Sequence, residues 1–462
     1  QAKLCGLLFV LTSNMKRLQV LTQQITIGEQ QNSVVDKESE GGLRKPAGKK
    51  PKHKTFRYRF VREAIKIVFF DETAADERYG GTGNVAIIEG ELLRPSTVSS
   101  TVTVFMHPSG IQNLLPMPVA MARAGLHVCT CCSRYPNNDS CLIMEKVVMD
   151  LGACIGHLKN QLGYKTVLLS GWSGGGSLSS FYQAQAELGP SALRHTPAGD
   201  PVDLPSANLT PADGLMLMAA HSSRAKIFTE WLDPAVLDES NPSKRDPELD
   251  LWNPQNPNKP PFTPEYVARF RAAQVARNRR ITAQVREKLA ELDEASAAWK
   301  GDGSGNPGWQ QGERDRAFVV SCTQADLRRL DTSLDPNGRE PTSLLDLAKE
   351  NHSPVGLARF TTLRSWLSQW SYDESNADGP KSLAQIKVPV LVVANEADHL
   401  VPLTHPRDMF EAIQHHDKEF HLVKGATHYY FGQNELMAGA VEHVMGWMRK
   451  KGFLEQEFVE AS

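Results

Sequence analysis

The stretch Val167-Leu168-Leu169-Ser170-Gly171-Trp172-Ser173-Gly174-Gly175-Gly176-Ser177-Leu178 constrains the chain more than any other. An apolar run suited to a buried strand ends in Gly-x-Ser-x-Gly, and 177–186 then follows as a helix. Strand, glycine-framed serine and helix in that order make a turn so tight that the serine sits in a strained backbone conformation, its hydroxyl raised above the sheet. A side chain at 171 or 175 would collide with the strand or the helix, which is why glycine stands at both. The five-residue pattern alone is common in glycine- and serine-containing chains, and the flanking strand and helix are what raise it above a glycine-rich turn. The same glycines lack the Lys-Ser/Thr of a phosphate loop and the spacing of a dinucleotide fingerprint.

A serine hydroxyl is a poor nucleophile until a base takes its proton, and the base needs an acid to orient it. The chain offers both, in order and each just past a strand. After the apolar run 388–394 comes Asn395-Glu396-Ala397-Asp398-His399-Leu400-Val401-Pro402, and after the run 420–423 comes Lys424-Gly425-Ala426-Thr427-His428-Tyr429. Asp398 on its own reads equally as a helix cap and His428 as a loop histidine. It is the order Ser, Asp, His that singles them out.

The remaining pattern alternates strands with helices. Strands are expected at 64–70, 85–93, 102–106, 126–130, 166–169, 214–219, 388–394 and 420–423. Helices are expected at 121–123, at 142–162 with Asp139 or Ser140 as its N-cap, and at 434–450. This predicts an α/β fold: a doubly wound, mostly parallel eight-stranded sheet with an antiparallel start. Between 219 and 388 lies an insertion of about 165 residues, far beyond an ordinary connection. It carries a long amphipathic helix from 263–265 with Ile281, Val285, Leu289 and Leu292 on one face. A glycine-rich break at 301–308 follows, and then a helix bearing Phe360, Leu363, Leu367 and Trp370, whose aromatics are expected to form the insertion's own core. The expected division is a disordered tail over 1–55, whose basic run near 44–54 is solvated, a core over 56–220, a helical lid over 221–387 and the rest of the core over 388–462.

Of the 462 residues, 40% are hydrophobic and 23% charged, with a net charge of −2, so nothing draws the chain as a whole to nucleic acid or to a membrane surface. No apolar run is long enough to span a bilayer. The seven cysteines include Cys129-Thr-Cys131-Cys132, but no second Cys/His pair at zinc spacing accompanies them, so reduced thiols and a cytoplasmic location are expected, with no metal and no cofactor. A small-molecule substrate is the expected partner, and the sequence is silent on oligomeric state.

From about Phe56 to Phe453 the chain resembles the α/β-hydrolase superfamily, with its insertion in the usual lid position. That resemblance implies Ser173 as nucleophile, Asp398 as acid and His428 as general base, and hydrolysis of a carboxylic ester through an acyl-enzyme. C–C bond hydrolysis, acyl transfer and amide hydrolysis use the same triad, and a non-catalytic binding module on the same fold is the alternative from another class. The superfamily's dehalogenase-like and epoxide-hydrolase-like branches place aspartate where this chain has serine. Where the family has His-Gly-x-Gly after the third strand, this chain has His107-Pro108-Ser109-Gly110. Proline has no N–H, so the oxyanion hole is assigned to the amides of Ser109 and Gly174, with Gly110 as the substitute for the first. His107, Trp172 and Asn138 are candidate pocket residues. His221 faces either the same cleft or solvent, the surface being the commoner place for a lone histidine.

Overall fold

In the computed structural model, residues 58–71, 84–298, 313–335 and 339–454 are described. The tail over 1–55 and the glycine-rich break at 301–308 lie outside them. Eight strands form one sheet: β1 (Phe60–Phe70), β2 (Val85–Pro95), β3 (Thr101–Phe105), β4 (His127–Cys131), β5 (Thr166–Trp172), β6 (Gly214–Met218), β9 (Val390–Asn395) and β10 (Lys418–Val423). Their spatial order is β1-β2-β4-β3-β5-β6-β9-β10. β1 and β2 pair antiparallel, β2 meets β4 antiparallel, and every other pair is parallel. The expected sheet is present, and each strand lies within a few residues of its expected place.

Period-two alternation sends neighbouring side chains to opposite faces. Val104, Leu169, Leu215 and Leu217 pack on one face with Val147, Leu151, Ile155 and Leu158 of α2 (Met144–Asn160) and Leu178 and Phe181 of α3 (Gly175–Leu188). Phe105, Leu168, Met216 and Val393 pack on the other with Met117 and Met121 of α1 (Pro116–Arg123) and Val444, Trp447 and Met448 of α9 (Asn434–Lys450). With both faces covered, β3, β4 and β6 are buried throughout, and β6 reads as a continuous apolar run.

The chain between β6 and β9 has its own core. It contains α4 (Arg224–Trp231), the 35-residue α5 (Pro264–Ala298), the antiparallel pair of β7 (Ala317–Val319) and β8 (Phe360–Thr362) with α6 (Leu344–Asn351) between them in the chain, a π-helical turn Trp366–Trp370, and α7 (Gly379–Leu383). Ile281, Val285, Leu289 and Leu292 face Phe228, Trp366, Leu367 and Trp370, as their helical spacing predicts. The expected second helix is corrected. Phe360 stands half-exposed in β8, and only from Leu363 does the chain coil, because β8 must first pair with β7.

Another local expectation fails at the start of α2. Neither Asp139 nor Ser140 caps it; the residue before the helix is Ile143, and the Met144 amide donates to the hydroxyl of Ser368 at 2.8 Å. Ser368 in turn donates to Glu145 at 2.8 Å, and Asn376 donates to the same carboxylate at 2.9 Å. Burial holds the Glu145 carboxyl above the usual carboxylate range, opposed by those two bonds. Asp139 instead accepts from Arg224 at 3.0 Å, and its carbonyl accepts from Gln369 at 2.8 Å. A distant segment thus supplies the cap and ties the inserted chain to the sheet.

Inside that chain, the fully buried Arg277 guanidinium donates to the carbonyls of Asp233, Ser321 and Cys322 and pairs with Glu239 at 2.7 Å. Arg277→Leu removes the donor of the Asp233 and Ser321 carbonyls and leaves Glu239 with Arg280 alone. It should lower stability by about 3 kcal/mol or more, measured by chemical denaturation, the range expected for breaking one side of a buried ion pair.

Candidate active site

β5 delivers Ser173 at the C-terminal edge of the sheet, in the crevice beyond the carboxyl ends of the parallel strands. Ser173 has φ of 52°, in the left-handed region that a non-glycine residue enters only under constraint. The constraint is visible in the contacts. A Cβ at Gly171 would lie 2.6 Å from the carbonyl oxygen of Gly175, and one at Gly175 would lie 2.6 Å from that of Met106 at the end of β3. The Ser173 amide donates to Met218 and Ala219 at 3.3 and 3.2 Å, fixing the turn to the end of β6.

His428 and Asp398 come from the loops after β10 and β9, and the two are joined. His428 Nδ1 and Asp398 Oδ2 are 2.6 Å apart, with both side chains buried. The other Asp398 oxygen accepts from the amides of Leu400 and Val401 at 2.8 and 2.9 Å, so the carboxylate is held from both ends. Glu396 is engaged elsewhere, accepting from the Gly425 amide at 3.0 Å. The His428 ring packs edge-on to Trp172, the residue before Ser173, at 5.9 Å between centroids, and edge-on to Tyr429 at 4.5 Å. Its Nε2 is buried with no hydrogen-bond partner among the described residues.

A cavity of about 300 Å³ opens at Ser173, lined by His107, Trp172, Gln112, Tyr429 and the apolar Ile111, Leu114, Leu115, Pro116 and Phe431. Leu114 and Phe431 are 82% and 72% exposed, so large apolar side chains stand at its mouth. A wider groove of about 850 Å³ runs along β1 and β2 to Arg134 and touches none of Ser173, Asp398 or His428.

The loop after β3 differs from its expected arrangement. The amides of Ser109 and Gly110, the candidate oxyanion donors, both donate to His107 Nδ1, at 3.1 and 2.7 Å. Neither is free for a ligand in this arrangement. The Gly174 amide has no hydrogen-bond partner among the described residues. His107 and Trp172 line the cavity, whereas Asn138 is exposed and accepts from the Ser140 amide at 3.1 Å, capping a turn. The surface position favoured for His221 is corrected: it is 7% exposed, with its ring beside Gly174. Burial, followed by the charge of Arg224 and the neighbouring His428, pushes His107 down to about 3. Burial likewise holds His221 well below the usual histidine range, with His405 and Arg224 adding to the effect. Arg224 itself is buried, paired with Asp139 and stacked 4.4 Å over Trp370. Gln112, Tyr429 and Phe431 escape a sequence reading that looks for chemistry, although each lies within five residues of a singled-out histidine.

Among the described residues no group of His, Cys, Asp and Glu has a metal-binding arrangement, and no helix is long and apolar enough to cross a membrane. Cys129, Cys131 and Cys154 are buried together as free thiols.

No family model matches the sequence, and no curated protein matches it. In structure the chain is similar to an α/β hydrolase, GrgF, from Penicillium sp. sh18, at 12% identity and a TM-score of 0.44, over 84% of this chain and 98% of that one. It is also similar to the esterase domain of a Rhodothermus marinus protein, at 12% identity and a TM-score of 0.39, over 84% and 98%. A third is a monoacylglycerol lipase from Paleococcus ferrophilus, at 14% identity and a TM-score of 0.37, over 83% and 99%. The chain has the α/β-hydrolase fold. We rest that assignment on the strand order and the pairing directions.

The histidine environment sets an acid limit. Between about pH 6.5 and 3 the unfolded chain binds a proton at residue 107 that the folded protein refuses, so stability rises with pH across that window and is lost as pH falls through it. His221 and His127, both shifted downward, act in the same direction. Thermal denaturation against pH should show a shallower acid slope for His107→Gln than for the wild type.

Proposed function

We propose that this protein is a serine hydrolase that cleaves a carboxylic ester through an acyl-enzyme. The observation that carries the reading is the 2.6 Å bond between Asp398 and a buried His428 whose Nε2 is left without a partner, its ring packed on Trp172, the residue before a serine with positive φ. In this reading Asp398 holds the Nδ1–H tautomer, so Nε2 presents a lone pair. His428 takes the Ser173 proton as Oγ attacks the ester carbonyl, and then returns it to the departing alcohol oxygen as the tetrahedral adduct collapses. Water repeats the sequence on the acyl-enzyme. Among the described residues no hydrogen bond joins Ser173 to His428, and such contacts commonly tighten only with substrate in place.

The apolar cavity wall supports an ester with an uncharged, apolar arm, because a charged one would lose its hydration against Ile111, Leu115, Pro116 and Phe431. The segment 221–387 acts as a lid in this reading. Its support is the attachment of Arg224, Ser368 and Gln369 to the loop and helix following β4, at the same edge of the sheet as Ser173.

A fluorophosphonate should label Ser173, and Ser173→Ala should abolish both labelling and ester hydrolysis while leaving the thermal transition in place. Mass spectrometry of the labelled peptide checks this, and labelling of Ser109 or Ser177 instead would refute the assignment. Asp398→Asn should lower kcat by up to about 10⁴ with little change in KM, the size of effect seen when such a base loses its orienting acid. Glu396→Gln, which removes the charge and leaves an acceptor oxygen for the Gly425 amide, should change either constant only a few-fold. Steady-state kinetics of the two variants compare them directly.

A further inference from the structure

The elbow supplies one oxyanion donor, the amide of Gly174, but a lone donor is a weak cradle for a full negative charge. The backbone after β3 does not supply the second as it stands. Pro108 has no N–H, and the amides of Ser109 and Gly110 are both spent on His107 Nδ1. Those two bonds have a consequence for the ring. A nitrogen that accepts from two amides carries no proton, so the neutral imidazole must hold its proton on Nε2.

The position of that Nε2 follows from Gly174. A Cβ on Gly174 would lie 2.6 Å from His107 Nε2, nearer than any real Cβ contact, and 3.3 Å from His221 Nε2. The imidazole nitrogen therefore sits against the residue that follows the candidate nucleophile, and glycine stands at 174 because the ring occupies the space of a side chain. His107 and Ser173 line the same cavity, and His107 Nε2 has no hydrogen-bond partner among the described residues. His107 thus carries an N–H of fixed tautomer beside Gly174, on the wall of the cavity that opens at Ser173.

We propose that His107 is a catalytic residue whose Nε2–H is the second oxyanion donor, acting with the Gly174 amide. This rests on the serine-hydrolase reading above. As Ser173 Oγ bonds to the carbonyl carbon, the π pair moves onto the carbonyl oxygen, which accepts hydrogen bonds from Gly174 N–H and His107 Nε2–H. On collapse the C=O bond re-forms and the alcohol leaves with the proton carried by His428. His107 gains and loses no proton at any step. Its low basicity suits that role, since a neutral imidazole donates without first capturing the proton that His428 must carry. The two amides on Nδ1 then serve to fix tautomer and orientation, so the loop acts through the ring.

Two substitutions separate donor from anchor. Asparagine places an acceptor oxygen near Nδ1 and no donor near Nε2; glutamine places an N–H near Nε2 and no acceptor near Nδ1. His107→Asn should lower kcat by about 10² to 10³ with KM changed only a few-fold, as for removal of one oxyanion donor. His107→Gln should keep kcat within about tenfold of wild type. The reverse ranking, equal losses, or two near-normal variants would overturn the proposal. A measurement on the unmodified protein covers misfolding of a variant. When a trifluoromethyl ketone adds to Ser173, the His107 Nε2 proton resonance should move downfield, and an unmoved resonance overturns the assignment. Ser173→Ala runs alongside. If it stays active, the hydrolase reading itself fails, whereas an inactive Ser173→Ala with a normal His107→Asn removes only the role given to His107.

Discussion

The close approach of three backbones at Ser173 is the constraint on which the site depends. The end of β5, the start of α3 and the end of β3 meet there at distances that leave no room for a Cβ at Gly171 or Gly175. A positive φ at a serine is costly on its own, of the order of 1–3 kcal/mol, and persists only where the surroundings over-determine it. Here both faces of the sheet are packed, and two bonds from the Ser173 amide to the end of β6 lock the turn. Replacing either glycine would move whole elements, because the opposing atoms are carbonyl oxygens and α-carbons with nowhere to rotate.

Around that turn, histidines accumulate. His107, His221 and His428 come from the loops after β3, β6 and β10, and Arg224 brings a positive charge close to them. Burial and mutual repulsion keep His107 and His221 uncharged at ordinary pH. Of these three, only His428 has a carboxylate bonded to it. Deeper still, His405 bridges Ser222 at 2.9 Å and Glu230 at 3.0 Å, and Arg328 holds Glu230 ionised. Ser222 and His405 are buried, Glu230 is partly exposed, and the three link to the inserted chain. They fasten the stretch carrying His221 to α8 (Thr404–Ala412).

The inserted chain is joined to the sheet by polar side chains as well as by Ala377, Leu383 and Ile386 in the main core. Ser368 caps α2, Gln369 bonds to two carbonyls before it, and Arg224 lies between Asp139 and Trp370. Such contacts are directional and fix one seat for the segment, while its own tryptophan-rich core gives it internal rigidity.

The amino-acid sequence by itself determined the sheet, the elbow and the order of Ser173, Asp398 and His428, because these depend on local pattern. Apolar runs make buried strands, glycine permits the turn, and a loop residue just past a strand stays near that strand's end. It also determined the apolar face of α5, since helical spacing survives any environment. It did not determine what a polar side chain bonds to. Asp139 and Ser140 had good N-cap chemistry, yet the cap came from Ser368, more than 200 positions away. His221 looked like a surface residue until the fold closed over it. The amides of Ser109 and Gly110 looked available until the His107 ring turned to accept from both. Hydrogen-bond partners are a matter of proximity in space. Only the tertiary structure brings β3, β5 and β6 together at one edge, and only there is the acceptor of each donor decided.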